Sequence, residues 1–170
     1  MAEKDLILSE KVEHTGLIDF KGMYSYAHNW LKNNQYGVDE IEYKEKIDGN
    51  KKNISIKWEA TKIVSDYFKI KHEIRFNIQN MTDVEIEIDG KKKQINKGFL
   101  EMPIKGILIT DAQGKWEISP LYRFWRDIYN KYIIPSRIDR MKDKVFDELR
   151  DFKESIKAFL DHTGNLPLSR

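Results

Sequence analysis

Residues 54–78 read ISIKWEATKIVSDYFKIKHEIRFNI. Ile54, Ile56, Trp58, Ala60 and Val64 alternate with polar residues before the break at Ser65-Asp66-Tyr67, and Phe68, Ile70, Ile74, Phe76 and Ile78 do the same after it. A period of two marks strands with one dry and one wet face. Loop length decides how they pair. If residues 65–67 form the loop, Val64 faces Phe68, Trp58 faces Ile74, Ile56 faces Phe76 and Ile54 faces Ile78, and every apolar side chain falls on one side. A tighter turn at Ser65-Asp66 sets Trp58 opposite Glu73 and turns one strand's charges into the core. The first register is the expected one.

The same alternation extends outward. Ile41, Tyr43 and Ile47 precede this hairpin and Val84, Ile86 and Ile88 follow it, so four segments form an antiparallel meander. Asp48-Gly49-Asn50 supplies the earlier turn, and a primed turn at Asp89-Gly90 sets Val84 opposite Ile95. Further strands are expected over Ile95–Leu100 and Ile104–Thr110, with Met102-Pro103 as a bulge or corner between them. A first strand over Asp5–His14 brings the sheet to about six or seven strands.

Two helical segments flank the meander. Phe20, Met23, Ala27, Trp30 and Leu31 recur at spacings of three and four, with Asp19 as N-cap, so a helix is expected to about Asn33. Ser119-Pro120 opens a C-terminal helix over 119–162, kinked at Pro135, with a tail over 163–170. Its stripe runs through Ile138, Met141, Val145, Leu149, Phe152, Ile156 and Phe159. The fold class is therefore α+β, a long-stranded bent antiparallel sheet wrapped around a long C-terminal helix.

Composition narrows the function. The 170 residues are 40% hydrophobic and 34% charged, which suits a single domain over 1–170 with an ordinary core. Thirty Lys and Arg against 28 Asp and Glu leave a net charge of +2, which argues against a nucleic-acid partner. Absence of cysteine excludes disulfides and thiolate chemistry. The four histidines are dispersed, so neither a metal site nor a cofactor is expected, and no nucleophile, Walker or dinucleotide motif points to a reaction. No transmembrane stretch or signal peptide is visible, and a cytoplasmic location is expected.

This element order resembles the helix-grip fold of the START-like superfamily, in which a bent antiparallel sheet wraps one long C-terminal helix. The resemblance rests on topology and on matching lengths of strands and helix. It implies an apolar cavity between sheet and helix that binds a hydrophobic or amphipathic small molecule. Glu45, Lys62, His72 and Lys97 share the inward parity of their strands, as does Trp58, and are the candidate ligand-binding residues. His72 falls opposite the small Ala60, and with Glu45 or Lys62 it is expected to orient a polar head group. The acidic pairs Asp39-Glu40 and Asp147-Glu148 read as solvated surface.

The segment after Pro120 is unusually rich in rings. Core packing takes Leu121, Trp125, Ile128 and Tyr132, which leaves Phe124, Tyr129 and Ile133 to line a cavity mouth or a subunit interface. Non-catalytic ligand binding is thus the first reading. The alternative is a filled core and a protein-interaction module, a homodimer included, that uses the aromatic helix start or a sheet edge.

Overall fold

The computed structural model describes residues 3–111, 119–133 and 135–165, so the tail residues 166–170 and the side chain of Ile133 lie outside the described residues. Strand β1 (Glu3–Ile18) leads through Asp19 into α1 (Phe20–Asn33). Four long strands follow as hairpins: β2 (Gly37–Asp48), β3 (Lys51–Ile63), β4 (Phe68–Ile88) and β5 (Lys91–Thr110). Helix α2 (Pro120–Ile128), a π-helical turn (Tyr129–Ile133) and α3 (Pro135–Gly164) come last. The strands form one open antiparallel sheet in the order β1-β5-β4-β3-β2.

The central hairpin has the expected register. Trp58 pairs with Ile74, Ile56 with Phe76, Ile54 with Ile78 and Ala60 with His72. The loop is closed by Val64 N–H donating to the Phe68 carbonyl at 3.0 Å, while the Ser65 hydroxyl accepts from Phe68 N–H at 3.1 Å. Val84 also pairs with Ile95, as the Asp89-Gly90 turn requires.

Among the described residues the sheet has five strands, where six or seven were expected. Two expected breaks are absent because β4 runs unbroken for 21 residues and β5 for 20. Met102 and Pro103 continue β5 in line, opposite Val12 and Lys11 of β1. The irregularity instead lies in β4, where the pairing shifts between Gln79 and Thr82. Asn80 adopts a left-handed φ of 54° there, and its N–H donates to Asn53 Oδ1 at 2.9 Å. One extra residue reverses the alternation of the strand that carries it. Beyond this bulge Val84, Ile86 and Ile88 pack with Leu17 and Ile95 in a second, small cluster, separate from the main core.

Gly98 makes the bulge feasible. A Cβ on Gly98 would lie 2.9 Å from the Gln79 carbonyl oxygen and 3.1 Å from Met81 Cα. Because both obstacles are backbone, Gly98→Ala is expected to cost about 1–3 kcal/mol. In urea titrations the midpoint should fall with little change in slope; an unchanged midpoint would mean the backbone yields freely.

Helices α1 and α3 cover the same face of the sheet. Asp19 caps α1 by accepting from Gly22 N–H at 3.0 Å, and Met23, Ala27 and Leu31 form its buried stripe. Val145, Leu149, Phe152, Ile156 and Leu160 form that of α3. Trp30 meets Phe152 edge to face, with ring centres 5.1 Å apart, and joins the two helices. Gly106 of β5 lets α3 approach, since a Cβ there would sit 2.8 Å from Val145 Cγ1.

Pro135 is the first residue of α3 and follows a turn that has widened to π geometry, Tyr129–Ile133; the expected kink falls between them at residue 134, which lies outside the described residues. The pyrrolidine ring collides with the carbonyl four residues earlier, so a regular α turn cannot pass through it. The expected packing of α2 is not found. Leu121, Trp125 and Tyr132 are 63%, 51% and 68% exposed, and no residue of α2 is buried. Among the described residues the helix meets chiefly the π turn after it. No described helix is long and apolar enough to cross a membrane.

Candidate functional site

The seam between sheet and α3 is solid at its centre. Ile56, Ile70, Phe76, Ile104, Leu149 and Phe152 have no accessible surface, which a void large enough for water would give them. At one end the seam opens. The β3–β4 connection presents Val64, Ser65, Tyr67 and Phe68, and across from it stand Tyr129, Arg137, Arg140 and Met141. They enclose a hollow of about 380 Å³ with a mostly apolar lining, in the size range of small-molecule sites. Tyr67 and Tyr129 meet edge to face at 5.9 Å across it. Arg137 and Arg140 are exposed and form no ion pair among the described residues.

Behind this groove runs a buried polar chain. Lys62 lies two residues from Val64 on the same strand face, and Glu148 lies two turns, about 10 Å, along α3 from Met141. Lys62 Nζ donates to Glu148 Oε1 at 2.9 Å, and the Tyr36 hydroxyl donates to Glu148 Oε2. Tyr36 is bonded in turn to His72 Nε2 at 2.9 Å, and the Lys62 ammonium sits 5.0 Å from the centre of the Tyr36 ring. The tautomer follows from proton counting: Tyr36 has one proton and gives it to the carboxylate, so His72 Nε2 carries hydrogen and Nδ1 is bare. That Nδ1 has no partner and faces Gly106, close to Val145 and Leu149.

These contacts set the charge states. Burial is the main cause that pushes the Tyr36 hydroxyl far up, reinforced by its hydrogen bond to Glu148 and the charge there. Burial likewise lowers His72 from 6.5 to about 4, with the Lys62 charge adding to it and Glu148 opposing it. At neutral pH the chain holds a neutral imidazole, a neutral phenol and one lysine–carboxylate pair.

No known protein family, curated protein or solved structure matches this chain. Its site therefore stands on geometry.

The expected site residues separate. Lys62 and His72 come together, but through Tyr36 and Glu148 and not directly. Glu45 is elsewhere: it is exposed on edge strand β2, accepts from the Tyr43 hydroxyl at 3.1 Å and lies 3.7 Å from Lys52. Lys97 is not on the inward face. It pairs with Leu17 and Thr82, and alternation along unbroken β5 sets it opposite in direction to Leu100, Met102 and Ile104. The error is one of phase, since the irregularity lies in β4 and not at Met102-Pro103. Trp58 is 1% exposed and packs edge to face on Tyr24 and Phe76, with ring centres 4.8 Å away in each case. Phe124 is 58% exposed on α2, and Tyr129 lines the groove.

Two members of the polar chain were missed. Glu148 does not belong to a solvated pair, for its side chain is only 19% exposed. Helix phase held the signal: Glu148 is three residues after Val145 and four before Phe152, on the buried stripe. Tyr36 follows α1 after Gln35, whose φ is 69°, and nothing in its neighbours marks it as buried.

Proposed function

We propose that this protein binds a small amphipathic anion, without chemical transformation, in the groove at the open end of the seam between sheet and C-terminal helix. One observation carries the reading: a mostly apolar hollow of about 380 Å³ has two arginines on its rim that no described carboxylate neutralises. The apolar part of the ligand lies against Val64, Tyr67, Phe68, Tyr129 and Met141, and its carboxylate or phosphate meets Arg137 and Arg140. The solid centre of the seam limits depth, so the ligand occupies the mouth and Glu148–Lys62 closes the space behind it. The helix-grip resemblance adds a prior of the same kind, because ligands in that superfamily sit between sheet and C-terminal helix.

Calorimetric titration with decanoate, decyl phosphate and decanol tests this. Decanoate and decyl phosphate are expected to bind, decanol about tenfold more weakly or less, and Arg137→Ala/Arg140→Ala to remove the difference. If neither anion binds, or if the double variant binds decanoate as the parent does, the groove is not the site.

A further inference from the structure

A second feature stands apart from the groove. Helix α2 exposes Leu121, Tyr122, Phe124 and Trp125, each by about half of its surface or more, and Tyr132 in the following turn is 68% exposed. At about 100° per residue these side chains are not scattered. Phe124, Ile128, Leu121, Trp125 and Tyr122 succeed one another over an arc of about 160°, while Arg126, Arg123 and Asp127 occupy the opposite side. Ser119 fixes the start by accepting from Tyr122 N–H at 3.4 Å, so the arc belongs to an ordered, capped helix.

We propose that α2 docks this protein on the surface of an anionic lipid bilayer. Apolar and aromatic side chains on one side with arginines on the other make an interfacial helix, which lies in the plane of the head groups. Tyr122 ends the arc on one side with Trp125 next to it, where amphipathic rings sit best between hydrocarbon and water. The charge fits an anionic surface. From Ser119 to Lys144 there are seven Lys and Arg against three Asp, whereas the whole chain is only +2.

The helix has only nine residues, so docking is reversible and needs both its apolar and its basic component. It does not depend on the groove having a ligand.

Co-sedimentation with vesicles distinguishes the occupants. The protein should pellet with phosphatidylcholine–phosphatidylserine vesicles mixed at about two to one, and tenfold less with phosphatidylcholine alone or in about 0.5 M salt. Phe124→Ser/Trp125→Ser should lower binding tenfold or more; both positions are exposed, so the fold should persist. Arg123→Ser/Lys131→Ser, both at exposed positions, should lower it on the mixed vesicles only. Trp125 emission, read as the difference between the parent and Trp125→Phe, should shift to the blue on binding. Equal binding by parent and Phe124→Ser/Trp125→Ser would overturn the proposal. So would a dimer in light scattering that this double substitution dissociates, since α2 would then be covered by its own copy.

Discussion

Trp58→Ala is expected to lower stability by about 3–5 kcal/mol, the range for removing a large aromatic side chain from a packed core. The indole is 1% exposed and sits where α1 meets the sheet. Its edge meets Tyr24 of α1 and Phe76 of β4, each at 4.8 Å, and His28 lies 5.9 Å away. None of these neighbours can move in without uncoupling α1 from the sheet, so the cavity stays largely open. For a chain of this length the loss corresponds to a fall in melting temperature of about 6–20 °C. Trp125→Ala, on exposed α2, should shift it by little. Scanning calorimetry of the two variants separates the cases. Similar shifts for both would show that Trp58 does not hold the core in the way its contacts imply.

Acid should weaken the fold through His72. The folded imidazole is lowered to about 4 against 6.5 in the open chain, so the folded state binds that proton less readily than the unfolded state. The contribution is therefore complete above pH 6.5, declines as pH falls below it and is gone below about 4. The gap corresponds to about 3 kcal/mol, of which about 2 kcal/mol is lost by about pH 5.

Geometry supports the sign. The groups facing the ring are Tyr36, whose oxygen accepts from Nε2, the Glu148–Lys62 pair beyond it and, on the Nδ1 side, Gly106 with Val145 and Leu149 close by; Nδ1 has no hydrogen-bond partner. A proton added at Nδ1 finds no acceptor. Urea titrations at about pH 7.5 and about pH 5 should show the parent losing about 2 kcal/mol more than His72→Gln, which does not titrate there. Equal losses would place the acid sensitivity in other groups.

Much of this architecture is legible in local pattern. The Ile54–Ile78 hairpin has its register in the sequence because alternation and loop length together leave one pairing that keeps charges out of the core. Asp19 and Ser119 mark helix starts for an equally local reason, a side-chain cap. Strand count was less secure. A bulge and a break both interrupt the period of two, and only the pairing of Thr82 with Lys97 shows that β4 continues.

The candidate site was half legible. Inward parity singled out Lys62 and His72, and both are in the polar chain. Parity does not say what lies opposite, and their partners Glu148 and Tyr36 come from a helix 86 residues from Lys62 and from the end of α1 36 residues before His72. Glu45 shows the complementary failure: it has the right parity, but it lies beyond the part of edge strand β2 that α1 reaches at Glu40, and it is exposed.

Alone, the sequence determined an α+β fold, the hairpin register, the starts of α1 and α2 and the absence of cysteine chemistry, because each depends on composition or on residues near one another along the chain. Only the tertiary structure decided which surfaces are covered. A 30-residue helix spans about 45 Å, whereas a 21-residue strand spans about 70 Å, so α3 cannot cover the whole sheet. Where α3 begins, at Pro135, the seam opens into a groove and α2 is left with its rings in solvent. That mismatch in length is a property of elements distant in sequence and brought side by side by folding.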